Sequence, residues 1–258
     1  METIIVEKKE HFCWIKLNRP EAMNALNTQM AKELTSVAQE VALEQDLWVV
    51  GITSTTDKAF GVGADLKERK DMSAAQIAGQ RVLFSRMLVS LKTLPQPLIA
   101  GVKGFALGGG FELALLTDMI VAGENAQFGL PEVRVGLIPA NGGTQLLSRA
   151  IGRSRAKEMI FTGKRINARE ALALGIVSRV VPDEQVEEAV LQLAKEICAN
   201  APIAVRQAKK AIDLGCDVDL RTGMEIENEA FNVNLVTEDR QEGIRAFNEK
   251  RPPRWQAR

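Results

Sequence analysis

Two carboxylates and a run of glycines are the residues in this chain best suited to chemistry. From Lys103 to Gly143 it reads KGFALGGGFELALLTDMIVAGENAQFGLPEVRVGLIPANGG. Gly108-Gly109-Gly110 precedes the short apolar run Phe111-Glu112-Leu113-Ala114-Leu115-Leu116, which has helical composition. Three glycines there place bare backbone N–H groups at a helix start, with no side chain to block a ligand. Glu112 falls in the first turn, where an acidic residue is ordinarily a surface charge answering those N–H groups. A second carboxylate, Glu132, follows Phe128-Gly129-Leu130-Pro131, and Pro131 stiffens the backbone before it. The two lie twenty residues apart, so only folding can bring them together.

Composition excludes several classes. Lys plus Arg and Asp plus Glu are 33 each, which gives no support to general binding of nucleic acid or acidic membranes. The three cysteines, Cys13, Cys198 and Cys216, form no C-x-x-C pair and read as free thiols in a reducing compartment. One histidine, His11, leaves no room for a multi-histidine metal site or most hydrolytic triads. No metal is expected. The chain opens on strand-like sequence without a leader pattern, and no apolar run reaches membrane-spanning length. The expected location is the cytoplasm or an organellar matrix.

The elements that must hold these residues alternate. Ile4 to Val6 and Phe12 to Leu17 read as strands about a turn at His11. Asn27 is a helix cap ahead of Met30, Leu34, Val37 and Val41 at helical spacing. Trp48 to Ser54 is a buried strand, followed by the glycine loop Phe60 to Leu66. Ser73 and Gln76 have capping-box spacing for a helix carrying Ile77, Phe84, Leu88 and Leu91. Leu98 to Val102 and Met119 to Ala122 are further strands. Strand, glycine loop and helix thus recur, which predicts βα-type turns with loops gathered at one end. The glycines match no dinucleotide fold, since Leu66 occupies the third position after Gly61 and Gly63. Gly163-Lys164 is no phosphate loop, since Glu158 stands where its first glycine belongs. After Gly142 the chain reads as nearly all helix, with a short strand within Ile176 to Val181. Asn167 with Glu170, and Pro202, mark helix starts there. The expectation is an α/β core over residues 1–200 and a helical region over 201–258 that packs on a neighbouring subunit.

Several of these segments together resemble the crotonase superfamily, the enoyl-CoA hydratase/isomerase family. They are Phe60-Gly61-Val62-Gly63-Ala64-Asp65-Leu66-Lys67, Gly104 to Ala114, Phe128 to Glu132, Gly142-Gly143-Thr144-Gln145 and Phe247-Asn248-Glu249-Lys250-Arg251. Their order makes the likeness specific and nearly end to end. It implies a spiral of ββα turns with a C-terminal helical trimerisation region, assembled as a homo-hexamer, a dimer of trimers. It also implies an acyl-CoA substrate, with CoA part of that substrate and no separate cofactor. An enolate forming on the thioester would be held by two backbone amides, those of Ala64 and Gly109. The substrate-binding residues implied are Ala22, Ala64, Asp65, Leu66, Lys67 and Gly109, with Phe247 and Lys250 reaching the CoA of an adjacent subunit.

Two carboxylates in one poorly solvated pocket resist joint ionisation, which suits hydration of a C=C bond. The resemblance assigns Glu112 mainly to the attacking water and Glu132 mainly to the α-carbon. Having both favours a hydratase making a 3-hydroxyacyl-CoA from a trans-2-enoyl-CoA. The alternatives are an isomerase, which generally keeps the carboxylate at Glu132 alone, or a decarboxylase. Pro139-Ala140-Asn141-Gly142-Gly143 departs from the family, which often has glycine at 140; Ala140 and Asn141 change a turn near the acyl tail, where chain-length preference is set. A narrower likeness to the methylglutaconyl-CoA hydratases rests on Gly63 to Arg69, Val218-Asp219-Leu220 and Glu249 to Arg254. It implies a short, branched or carboxylated substrate from leucine breakdown, with Arg86 or Arg134 as partner of a distal carboxylate. One such relative binds RNA through a lysine-rich first helix. Here Thr28 to Glu44 has only Lys32 against three glutamates, so RNA binding is not expected.

Overall fold

The computed structural model covers residues 1–258. In chain order the first half holds β1 (Ile4–Lys9), β2 (Phe12–Leu17), α1 (Thr28–Leu43), β3 (Val49–Ser54), β4 (Ala59–Gly61), α2 (Leu66–Arg69), α3 (Ala74–Lys92), β5 (Leu98–Val102), β6 (Phe105–Leu107), α4 (Gly109–Leu115), β7 (Met119–Gly123) and β8 (Gln127–Gly129). The second half holds α5 (Gly143–Ile151), α6 (Arg153–Thr162), β9 (Arg165–Asn167), α7 (Ala168–Ala173), β10 (Arg179–Val181), α8 (Val186–Cys198), α9 (Pro202–Gly215), α10 (Leu220–Leu235) and α11 (Glu238–Glu249).

Local chemistry accounts for the boundaries. The Asn27 side chain accepts from the Met30 amide at 2.9 Å and starts α1. Ser73 and Gln76 form the complete capping box on α3, and Asn167 with Glu170 repeats it on α7. Pro202 occupies the first turn of α9. At the first hairpin, His11 stacks on Trp48 with ring centroids 3.6 Å apart, a structural use of the lone histidine.

Successive turns repeat one plan. One strand joins a large sheet, the next joins a small sheet, and a helix closes the turn: β3-β4-α3, β5-β6-α4 and β7-β8-α5. The large sheet has the order β1-β2-β3-β5-β7-β10, parallel apart from the β1-β2 hairpin. The small sheet has the order β4-β6-β8-β9, with β9 antiparallel to β8. This is the spiral of ββα turns that the resemblance implies. The chain's own periodicity does not reveal the small sheet, because its strands are three residues long and too short to show alternation.

Both faces of the large sheet are covered. Val50, Ile52, Ala100 and Val102 join Leu34, Val37, Phe84 and Met87 in the main core. Val49, Ile99 and Val121 face Val190 and Leu193 of α8 on the other side. Continuous apolar strands are what a sheet buried on both faces requires. On α3 the buried stripe is Gln80, Phe84, Met87 and Leu91, while Ile77 and Leu88 are half-buried. No helix is long and apolar enough to cross a membrane.

Helix α4 is set by a backbone contact. A β-carbon on Gly110 would lie 2.1 Å from the Gly61 carbonyl oxygen of β4, so helix and strand touch without intervening side chains. Gly79, in exposed α3, has nothing within 4 Å of the same position. Replacing Gly110 by Ala should destabilise by more than about 2 kcal/mol. Gly79→Ala should stabilise by about 0.5–1 kcal/mol, through helix propensity and a less flexible unfolded chain. Urea unfolding of the two variants checks the pair; equal midpoints would refute the close approach.

Candidate active site

Three strands of the small sheet lead, at their C-terminal ends, into the residues of interest. β4 runs into Gly63 and Ala64, β6 into Gly108 and Gly109, and β8 into Pro131 and Glu132. The strands are parallel neighbours, so these ends lie side by side. The carboxyl edge of parallel strands is where open α/β sheets place ligands.

Gly108 makes the turn from β6 into α4 with φ 52° and ψ −129°, a conformation suited only to glycine. Its amide donates to the Gly129 carbonyl at 2.9 Å, tying β6 to β8. Gly109 is therefore the first residue of α4, and its N–H has no partner within the helix. Across from it, Leu26 and Ala64 form a short parallel bridge. The Leu26 amide donates to Gly63 at 2.7 Å and the Asp65 amide donates to Leu26 at 2.9 Å. The Ala64 amide between them is left over, and neither it nor the Gly109 amide donates to a backbone carbonyl. The two loops touch: the Gly63 α-carbon is 3.4 Å from where a Gly109 β-carbon would be.

Both carboxylates enter this region. Glu112 is 1% exposed, and is not the surface charge that its first-turn position ordinarily suggests. Its Oε1 accepts from the Asn141 amide at 2.7 Å and the Gly143 amide at 2.8 Å. Burial pushes its carboxyl above the usual range, while those amides and the positive charge of Arg81 oppose the rise. Glu132 opens a short 3-10 turn, Glu132–Val135. Its Oε1 lies 3.2 Å from where a Gly108 β-carbon would sit, and its Oε2 is buried without a hydrogen-bond partner. Burial, reinforced by the negative charge of Glu112, pushes it up to about 7. The pair thus shares a poorly solvated space, in which Glu112 has two amides of the facing loop while Glu132 has only its own backbone N–H to oppose the cost of burial.

The remaining expected residues divide. Asp65 caps α2, accepting from Lys67 and Glu68 amides at 3.0 and 3.2 Å. It also pairs with Arg19 at 2.9 Å. Against the cost of burial, these partners hold its carboxyl below the usual range. Its side chain is committed to shaping the loop, while Leu66 and Lys67 point to solvent. Ala22, half-buried, ends the 3-10 turn leading to Leu26. Phe247, 84% exposed, and Lys250 lie at the end of α11, outside the hydrogen bonds that join Glu112, Gly143 and the glycine loops. Arg134 turns toward the Thr162 carbonyl at 3.5 Å, and Arg86 is exposed. The cation whose field reaches Glu112 is Arg81 on α3, which sequence reasoning overlooked.

Other residues were missed as well. Asn24, fully buried, donates to Ser54 at 2.7 Å and to the Ala59 carbonyl at 3.2 Å. With Arg19, which donates to the Ala25 carbonyl at 2.6 Å, it holds the segment before Leu26 against β4. A buried asparagine beside a glycine loop leaves no periodic trace. No three His, Cys, Asp or Glu side chains form a group that could hold a metal.

The Glu132 shift carries a stability signature. Its folded carboxyl binds a proton up to about pH 7, whereas the unfolded one releases it near pH 4.5. Stability therefore falls as pH rises between those values and stays reduced above them. Relative to wild type, Glu132→Gln should gain on the order of 2–3 kcal/mol at pH 8 and almost nothing at pH 4. Urea midpoints at the two pH values check it; an equal gain at both would mean Glu132 titrates normally.

Comparison with known proteins agrees with this architecture. The family profile described as enoyl-CoA hydratase/isomerase matches residues 7–258. YngF of Bacillus subtilis, whose name places it in the same hydratase/isomerase family, is 47% identical over 95% of this chain and 94% of its own. The 2,3-dehydroadipyl-CoA hydratase of Escherichia coli is 40% identical, covering 100% of both chains. The crystal structure of enoyl-CoA hydratase from Bacillus anthracis superposes with a TM-score of 0.97 at 42% identity, covering 100% of each chain. The chain is accordingly an enzyme of the enoyl-CoA hydratase/isomerase family, a member of the crotonase superfamily.

Proposed function

We propose that this enzyme adds water to the 2,3 double bond of a trans-2-enoyl-CoA, giving a 3-hydroxyacyl-CoA by syn addition. The observation that carries the reading is the unequal pair of buried carboxyls beside two unpaired amides. Glu112, with two N–H donors on Oε1, ionises first and serves as base. Glu132, pushed up to about 7 with Oε2 unpartnered, keeps a proton to give. Water loses a proton to Glu112 as its oxygen bonds to the β-carbon. Glu132 delivers a proton to the α-carbon, on the same face. The thioester oxygen gains negative charge meanwhile and is held by the amides of Ala64 and Gly109. Such donors act most in the transition state, each typically worth about 3 kcal/mol. CoA arrives as part of the substrate, and no further cofactor takes part.

The acyl group is a short one, branched or carboxylated. The Escherichia coli relative's name gives a carboxylated enoyl-CoA as its substrate, and the charge of Arg81 lies on the Glu112 side of the site. We assign the assembly as a homo-oligomer, a dimer of trimers. Helices α9 and α10 leave Ile212, Leu214, Leu220, Met224 and Phe231 exposed, apolar side chains of the kind subunit contacts cover.

Replacing Glu112 by Gln should lower kcat for crotonyl-CoA hydration by at least about a hundredfold, the scale of lost general-base catalysis. Loss of absorbance at the thioester-conjugated double bond measures it. A variant retaining most of its hydration turnover would remove Glu112 from the base role, and a wild type that shifts the double bond without hydrating it would point to an isomerase working through Glu132 alone. Assaying crotonyl-, longer-chain enoyl- and methylglutaconyl-CoA side by side fixes the acyl preference.

A further inference from the structure

Asn141 lies in the turn between Pro139 and Gly143, and its side chain has a use that the reaction above leaves open. The backbone N–H of Asn141 donates to Glu112 Oε1, as any residue there could. The carboxamide adds a second group at the same residue. Its Nδ2 lies 3.6 Å from where a Gly109 β-carbon would sit, a point also 3.1 Å from Leu26 and 3.4 Å from Gly63. The side chain thus lies between the Glu112 carboxyl and the space beside Gly109. Oε1 of Glu112 already has two donors, while no hydrogen bond is made to Oε2.

We propose that the Asn141 carboxamide is a positioning group for hydration: with Oε2 of Glu112 it brackets the attacking water and holds it against the alkene. This rests on the hydratase reading. The water gives one proton to Oε2, and one of its lone pairs accepts from Nδ2 while the other attacks the β-carbon. Asn141 gains and loses no proton. A carboxamide suits the place because it donates without carrying charge. It also favours the ionised form of Glu112, as does Arg81 from α3, against the burial that opposes ionisation; Glu132 across the site feels the charge of Glu112 in turn.

The test compares wild type with Asn141→Ala and Asn141→Asp, with thermal unfolding as a check on the fold. In Asn141→Ala, kcat for crotonyl-CoA should fall about tenfold or more while KM stays within about threefold, as expected for a lost transition-state contact. The acid limb of its pH profile should move upward, because Glu112 keeps its backbone donors but loses the nearby carboxamide that favours its ionised form. In protein labelled with 13C at the glutamate carboxyls, the Glu112 resonance, identified by its loss in Glu112→Gln, should titrate at higher pH in Asn141→Ala. It should titrate higher still in Asn141→Asp. A hydrating wild type with Asn141→Ala unchanged in kcat and in the Glu112 titration overturns the role of Asn141. So does a loss of kcat with a lowered Tm and an unmoved titration, which marks a merely structural side chain. A wild type that hydrates none of the three enoyl-CoAs overturns the hydratase reading itself.

Discussion

The pocket encloses two acidic side chains but turns the amides of its facing loop toward only one of them. Everything distinctive about the site follows from that imbalance. Had both carboxyls been solvated, each would release its proton below pH 5 and neither would hold one near neutrality. Had both been equally starved, their mutual repulsion would leave their roles undefined. The amides of Asn141 and Gly143 break the symmetry on the Glu112 side, and the unpartnered Oε2 of Glu132 keeps it broken on the other.

That arrangement depends on the small sheet. Its strands contribute little burial of their own, yet their parallel register aligns three loop starts along one edge. Ala64, Gly109 and Glu132 come from different turns of the spiral and meet because each follows the end of one such strand. Helix α4 adds the fourth member, since Glu112 lies one turn beyond Gly109 on the same helix. Asn24, Arg19 and Asp65 then fix the outer loop by hydrogen bonds that no ligand needs to supply.

Much of this was legible in the chain, and the gaps have physical causes. The long strands and capped helices announce themselves through periodicity and cap chemistry, as at Asn27, Ser73 and Asn167. Glu112, Glu132 and the amide of Gly109 could be picked out from residue type and the triple glycine. The amide of Ala64 could not, because a backbone group left over from a bridge to Leu26 has no signature in side chains; only the family resemblance pointed there. The four three-residue strands fall below the length at which alternation is readable. Arg81 and Asn141 escaped because their relation to Glu112 is made across the fold, between segments far apart in the chain.

The direct seating of α4 on β4 has a consequence for how such a site diversifies. Where Gly110 meets the Gly61 carbonyl, peptide units abut with no side chain between them. Mutation cannot adjust that spacing by degrees, because the smallest available change, a single methyl, already overshoots it. The seating of α4, and with it the distance from the Gly109 amide to β4, is thereby removed from evolutionary adjustment. Room for change is left to exposed stretches outside that seam, such as Leu66 and Lys67 or Val135 to Ile138.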